Sequence, residues 1–74
     1  MKLQNVRIAR GLSQSQLAEK ANMSIRTLQN YEVGYRNIEN ANLMTLCKLA
    51  IALNCQIADL IENEELIDLL NKLK

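Results

Sequence analysis

The segment GLSQSQLAEKANMSIRTLQNYEVG, residues 11–34, decides the fold because it predicts two short helices joined by a tight turn. Ser13 and the glutamine three residues later form a capping box, so the first of these helices begins at the residue after Ser13. Asn22 tolerates the left-handed backbone of the turn that ends this helix. Ser24 caps the second helix, and Gly34 ends it.

The rest of the chain predicts four further helices, so the expected fold class is all-α. A helix beginning near Leu3 ends at Gly11, and a polar loop without helical periodicity follows Gly34. Asn42 caps a fourth helix, and Asn54 ends it. The residues of this helix expected to face the core are Leu43, Leu46, Leu49, Ala50 and Leu53.

Two segments follow the fourth helix. Residues 56–61 predict a short fifth helix with Ile57, Leu60 and Ile61 directed inward. Residues 64–74 predict an additional amphipathic helix, whose acidic residues come early and whose lysines come late, as the helix dipole favours. The apolar side of this last helix consists of Leu66, Leu69, Leu70 and Leu73.

The composition indicates one small domain with an aliphatic core. The 74 residues are 49% hydrophobic but include no Trp and no Phe, and the absence of Pro favours helix. The formal charge is only +1, but residues 1–40 carry six Lys or Arg against three Asp or Glu, whereas residues 41–74 carry three against five. A polyanion would therefore bind the first half of the chain.

Several classes of function are not expected. Cys47 and Cys55 lack metal-ligand spacing, so we interpret them as small buried apolar residues in a reducing compartment, with a disulfide or a reactive thiol as the alternative. No apolar run could cross a membrane and no signal peptide is evident, which predicts a cytoplasmic protein without a membrane partner. Lacking histidine, a nucleophile–base pair and a glycine-rich phosphate loop, the sequence predicts no enzyme, cofactor, metal site or small-molecule substrate.

The helix after Ser24 carries side chains suited to reading base edges. At about 100° per residue, Leu28 and Tyr31 share one side, which we expect to be buried. Arg suits guanine, Asn or Gln suits adenine, and an apolar group suits the thymine methyl. Any small soluble helix could expose such residues, but the preceding helix and tight turn favour a helix-turn-helix. The outward side presents Arg26, Gln29, Asn30 and Val33, with Ile25 and Thr27 at the flanks.

The stretch GLSQSQLAEKANMSIRTLQNYEVGYRN resembles the lambda-repressor and Cro-like helix-turn-helix domain, the XRE family. The resemblance continues through NLMTLCKLAIALNCQIADLIE, which is similar to the fourth and fifth helices of the family, and covers residues 3–62. It implies a five-helix lambda-repressor-like DNA-binding domain over residues 1–62. Residues 63–74 lie outside the resemblance, and we expect them to form the additional C-terminal amphipathic helix for docking or dimerisation.

The resemblance also implies roles for individual residues. Gln14 matches the glutamine that binds a DNA phosphate and braces the recognition helix. Arg36, with its loop neighbours, matches positions that lie along the sugar-phosphate backbone, the alternative being a solvated loop arginine. Arg7 and Glu32 match an internal ion pair between the first and third helices. The positions that match base-reading residues are Ile25, Arg26 and Asn30, and those that vary between base and phosphate contact are Thr27 and Gln29.

Three departures from the family pattern stand out. The loop after Gly34 is longer than usual and lacks the common proline, and Val33 is apolar where a polar or basic residue often approaches phosphate. Ile51 replaces a common polar residue, so Met44, Cys47 and Ile51 form a second apolar stripe on the fourth helix. We expect the leucines of the last helix either to fold back over Met44 and Ile51 or to pair with a second subunit, the alternative being a loosely attached tail.

The expected function is that of a sequence-specific DNA-binding transcriptional regulator, expected to be a repressor. It would bind double-stranded DNA at a palindromic operator as a homodimer. The alternative is a protein-interaction module or antitoxin-like regulatory subunit that retains the fold and acts through its acidic, leucine-rich second half. The near-neutral charge of the chain favours the alternative.

Overall fold

The computed structural model describes residues 1–73, which form five α-helices and two 3₁₀ turns. No strand occurs within these residues, and the predicted all-α class is confirmed. The helices are α1 (Lys2–Ala9), α2 (Gln14–Lys20), α3 (Ile25–Val33), α4 (Leu43–Leu53) and α5 (Glu64–Lys72), and the turns are Ile38–Asn40 and Ile57–Leu60.

Side-chain caps fix where four of the helices begin. The Ser13 hydroxyl accepts the Gln16 backbone N–H at 3.1 Å, and the Gln16 side chain accepts the Ser13 N–H at 2.8 Å, which completes the predicted capping box. Ser24 and Asn42 cap α3 and α4 as predicted, and Asn63 caps α5 in the same way. Each cap satisfies a backbone donor that a helix leaves free at its first turn.

Left-handed residues end four helices and set the direction in which the chain leaves them. Gly11 (φ 71°), Asn22 (φ 52°), Gly34 (φ 89°) and Asn54 (φ 50°) all have positive φ, as the sequence predicts. After the first, second and fourth of these helices, the amide of the residue that follows the left-handed one bonds back to a carbonyl five residues earlier, the pattern of a Schellman motif. The three bonds are Leu12 to Arg7, Met23 to Ala18, and Cys55 to Ala50, at 3.2, 2.9 and 3.0 Å.

The core is aliphatic and draws on every element except α5. Leu17 of α2 and Leu28 of α3 are fully buried and hold these two helices together. Tyr31 is also buried, as predicted, and Ile38 joins it from the loop after α3. The largest fully buried side chains are Leu3, Leu17, Leu28, Leu49, Leu53, Leu60 and Ile61.

The structure corrects the expected fifth helix and the expected irregular loop. Residues Ile57–Leu60 form a 3₁₀ turn, because the Asp59 N–H bonds to the Gln56 carbonyl three residues earlier, at 3.0 Å, while its carboxylate accepts the Gln56 N–H at 2.9 Å. The loop after α3 contains the other 3₁₀ turn, Ile38–Asn40, which the Asn37 side chain caps at the Glu39 N–H.

Three expectations of burial are also corrected. Leu43 was expected in the core but is 70% exposed, because it lies in the first turn of α4 at the edge of the side that the buried residues of this helix define. Cys47 and Cys55 are free and only half-buried. Burial raises the pKa of the Cys55 thiol, the Asp59 carboxylate adds to this effect, and the Arg10 guanidinium opposes it.

The C-terminal helix α5 attaches to the domain mainly at its beginning. The Glu39 carboxylate accepts the N–H groups of Asn63 at 2.6 Å and Glu62 at 3.1 Å. Helix α5 also packs against Ile57–Leu60, the second 3₁₀ turn in chain order. No residue of α5 is fully buried. Because Met44 and Ile51 stay exposed, the leucines of α5 do not fold back over them within one chain.

Candidate nucleic-acid interface

The candidate site consists of α2, the turn at Asn22 and α3. Ala18 of α2 and Ala21 of the turn are buried, so the two helices approach closely at small side chains. The Met23 N–H bonds to the Ala18 carbonyl, and half-buried Met23 packs on the core between the helices. The turn is therefore held by a backbone hydrogen bond and by a buried contact, and α3 packs against α2 with its polar side outward.

A buried ion pair between Arg7 and Glu32 fixes the orientation of α3 from its buried side. Arg7 Nε donates to Glu32 Oε2 at 2.7 Å and Arg7 Nη2 donates to Glu32 Oε1 at 3.1 Å, which confirms the pair that the resemblance implies. The Glu32 side chain is 1% exposed, and Arg7 Nη1 also donates to the Leu12 carbonyl at 2.8 Å. Two-point pairing of a guanidinium with a carboxylate restricts rotation as well as distance, so α1 and α3 are fixed to each other.

The same network reaches the surface through two glutamines. Gln14 Nε2 donates to Glu32 Oε1 at 2.9 Å, and Gln29 Nε2 donates to Gln14 Oε1 at 3.2 Å. Gln14 therefore braces α3 from the first turn of α2, as the resemblance implies. Gln29 has a second role that the sequence did not suggest, because its amide nitrogen takes part in this bracing while its side chain stays exposed.

The outer face of α3 carries the predicted side chains. Ile25, Arg26, Gln29 and Val33 are exposed, while Thr27 and Asn30 are half-buried at the edges of the face. Ile25 is 43% exposed, so it does not pack into the core. This face offers a guanidinium, two carboxamides and apolar groups to the solvent.

Two of the predicted residues have local partners. The Thr27 hydroxyl accepts a hydrogen bond from the Ser24 hydroxyl at 2.8 Å, so it belongs to the cap of α3. The Asn30 carbonyl accepts the Arg36 N–H at 3.1 Å, which folds the following loop back against the end of α3. This bond holds Arg36 next to α3 and leaves its side chain exposed.

The predicted dimerisation leucines do not join this site. They lie on α5, where Leu66 and Leu70 are half-buried and Leu69 and Leu73 are exposed. Sequence reasoning missed Glu39, which anchors the start of α5 across 23 and 24 residues of chain. No local pattern signals such a contact, because the donors are backbone amides distant in the sequence.

Other kinds of site do not emerge. Within residues 1–73, no group of three or more His, Cys, Asp and Glu side chains could hold a metal ion. In the same part of the chain, no helix has the length and hydropathy needed to span a bilayer.

A short helix, a fixed turn and a second helix with an exposed polar face define a helix-turn-helix domain. The model of the helix-turn-helix family HTH_3 matches residues 3–60. The chain therefore belongs to this lambda-repressor-like, or XRE, family, and is a DNA-binding regulator of that type. Neither the comparison with curated proteins nor that with solved structures finds a match. Domains of this family are typically regulatory, not enzymatic.

Proposed function

We propose that this protein is a cytoplasmic, sequence-specific transcriptional repressor that binds a palindromic operator as a homodimer. The observation that carries the proposal is the outer face of α3, which exposes Arg26 and Gln29 while a buried network fixes the helix from behind. Rigid presentation matters because readout of a base edge requires hydrogen-bond donors and acceptors at defined positions. Residues 1–62 form the DNA-binding unit of the proposal, and residues 63–74 serve docking or dimerisation.

The base-reading roles follow from side-chain chemistry. The Arg26 guanidinium can donate two parallel bonds to guanine O6 and N7, and the Asn30 carboxamide can pair with adenine N6 and N7. The Gln29 side chain can use its free carboxamide oxygen in the same groove, because the nitrogen is engaged with Gln14. Ile25 presents an apolar surface to a thymine methyl.

The phosphate contacts come from residues at both ends of the helix-turn-helix. Gln14 lies in the first turn of α2, where its side chain is already oriented by Glu32. Thr27 lies in the first turn of α3, and Arg36 lies in the loop that bonds back to the end of α3. Contacts of this kind position the protein on the duplex and leave the choice of sequence to the base-reading residues.

A dimer suits the dimensions of the chain. Helix-turn-helix dimers read half-sites about 34 Å apart, one turn of B-DNA. The chain measures 33 × 24 × 20 Å along its principal axes. Two copies side by side can therefore present their α3 helices to successive major grooves without a linker between them.

Enrichment of random DNA duplexes by the purified full chain tests the proposal. We expect an inverted-repeat consensus whose half-sites lie one helical turn apart. Parallel enrichment with Arg26→Ala should lose the preference at one base position in each half-site, whereas Lys72→Ala, an equal charge change on the far end of α5, should reproduce the parent consensus. If the parent protein enriches no sequence, the proposal is wrong.

The exposed leucines and acidic residues of α5 favour a second candidate, a protein-interaction module such as an antitoxin-like subunit. This candidate predicts that the partner binds α5 and that DNA is not retained. A mobility-shift titration at low salt separates the two. Retardation of DNA that Arg26→Ala weakens supports the repressor, whereas no retardation at any protein concentration supports the interaction module.

A further inference from the structure

Helix α4 carries an apolar surface that its own chain leaves uncovered. This surface, the α4 stripe, comprises Leu43, Met44, Cys47 and Ile51, which follow one side of the helix over two turns. Met44 is 67% and Ile51 80% exposed, and Cys47 is half-buried between them. Contiguous apolar surface of this kind on a small domain marks an interaction site.

Helix α5 carries a second uncovered apolar surface. Leu69 and Leu73, the α5 edge, lie one turn apart, and Leu73 is 81% exposed. The helix is held at its beginning by the Glu39 carboxylate and rests on the second 3₁₀ turn, with the other apolar side chains half-buried. The anchored start leaves the α5 edge directed away from the domain.

The two surfaces carry opposite charges. Lys48 lies between Met44 and Ile51 along the α4 stripe, and Glu65 lies one turn before Leu69 at the α5 edge. Neither Lys48 nor Glu65 forms an ion pair within residues 1–73. The α5 edge is therefore complementary to the α4 stripe: both surfaces are apolar, and the charge of Glu65 beside the one is opposite to that of Lys48 beside the other.

We propose that the α5 edge of one subunit packs on the α4 stripe of a second copy of this chain, with Lys48 facing Glu65 across the interface. Each chain carries both surfaces, so a two-fold axis buries both stripes and both edges at once. A groove of about 270 Å³ lies beside the α5 edge, where Glu65 and Leu69 line it together with Glu39 and Asn40 from the segment before α4. The two α5 residues that the interface uses therefore share one concave surface.

This inference deepens the proposed function, because it assigns the interface of the proposed homodimer. It also explains why α5 is not buried in its own chain: half of its apolar surface belongs to the partner. The predicted leucines therefore divide into Leu66 and Leu70, which attach α5 to its own domain, and Leu69 and Leu73, which contact the second copy.

Sedimentation velocity of the full chain without DNA tests the interface. We expect the parent chain to sediment as a dimer at tens of micromolar, and Ile51→Ser and Leu73→Ser each to raise the dissociation constant at least about tenfold. Ile8→Ser is the matched control, because Ile8 is 59% exposed on α1, outside both surfaces, and its variant should dimerise as the parent does. All three positions are exposed, so circular dichroism should show the parent fold in each variant.

Exchanging the two charges tests the contact between Lys48 and Glu65 specifically. Lys48→Glu alone and Glu65→Lys alone should each weaken the dimer, and the two together should restore it. A monomeric parent chain at 100 μM, or a double variant no tighter than the single ones, would overturn the proposed interface.

The result of these interface tests is independent of the result of the DNA enrichment. A dimer with these properties that enriches no duplex refutes the proposed repressor and leaves the interface standing. A chain that remains monomeric and still enriches a duplex refutes the interface and leaves DNA reading standing.

Discussion

The Glu32 carboxylate is the point at which the first three helices are joined. Arg7 of α1 binds both of its oxygens, and Gln14 of α2 donates to one of them. The carboxylate is almost completely withdrawn from water. A buried charge in this setting is tolerated only with its partners present, since an unpaired buried charge retains the full cost of its lost hydration.

Replacement of Glu32 by Ala should therefore destabilise the whole domain. Loss of one partner of a buried ion pair typically lowers the free energy of unfolding by about 3 to 5 kcal/mol, because the other charge remains buried. Urea denaturation followed by circular dichroism measures this change. Glu19→Ala, which removes an exposed glutamate of α2, is the control and should change the free energy by less than about 0.5 kcal/mol. Equal effects of the two substitutions would contradict the role given to the buried pair.

Arg26 is the residue whose removal should change sequence preference without changing stability. Its side chain is exposed on α3, so Arg26→Ala should unfold at the parent urea concentration. Loss of a bidentate contact to guanine should weaken binding to the selected operator by about 1 to 3 kcal/mol and relax preference at that base pair alone. Titrations of single-base operator variants with parent and Arg26→Ala protein measure both effects. Equal affinity of the two proteins for every duplex would show that Arg26 does not read a base.

At the scale of the elements, the ends of helices were predictable from single residues, because caps and left-handed turns act locally. Ser13, Ser24 and Asn54 all behave as their types predict. Periodicity was a weaker guide, since Leu43 fits the spacing of the core but lies where no neighbouring element reaches it. The expected fifth helix is a 3₁₀ turn because its backbone bonds join residues three apart, Asp59 to Gln56 and Ile61 to Ala58, and a hydrophobic pattern does not distinguish this form from α-helix.

The candidate site, like the helix ends, was predictable only where a local pattern determines it. The face of α3 followed from buried Leu28 and Tyr31, since one buried side fixes the other. The ion pair and the Gln14 brace came from the family resemblance and not from the residues themselves. The link from Gln29 to Gln14 and the anchor at Glu39 depend on contacts between distant segments, so no local signal in the sequence could reveal them.

The attachment of α5 should depend on Glu39. Its carboxylate accepts two backbone donors at the start of the helix, and a hydrogen bond to a charged group contributes about 1.5 to 3 kcal/mol. Glu39→Ala should therefore speed amide exchange in α5 by at least about tenfold, while exchange in α4 stays as in the parent. Glu39→Gln keeps an acceptor oxygen without the charge, so its amide exchange rates in α5 should lie between those of the parent and those of Glu39→Ala. Unchanged exchange in α5 of Glu39→Ala would show that other contacts hold the helix.

At the scale of the whole molecule, the two halves of the chain carry charges of opposite sign. The half that contains the helix-turn-helix is basic, and the half that contains α5 is acidic. The acidic half should be repelled by the phosphate backbone, which disfavours approach of the molecule with α5 toward DNA. The same distribution leaves few cations to bind phosphate, so binding should depend more on base contacts than on electrostatic attraction.

The salt dependence of DNA binding should consequently be weak. The cations among the residues assigned to DNA are Arg26, which is assigned to a base, and Arg36, which is assigned to phosphate; both are exposed. Two to four phosphate contacts in a dimer give a slope of log K against log salt concentration of about −2 to −4, whereas a strongly electrostatic repressor reaches about −10. Fluorescence anisotropy of the selected operator measures this slope between 50 and 200 mM salt, roughly the range over which such slopes are compared.

Two variants test the assignment of the phosphate contacts. Arg36→Ala should make the slope shallower by about 2 per dimer, one contact from each subunit, and Lys72→Ala should leave the slope unchanged. A parent slope near −10, or one that Arg36→Ala does not alter, would mean that phosphate contacts come from residues other than those assigned here.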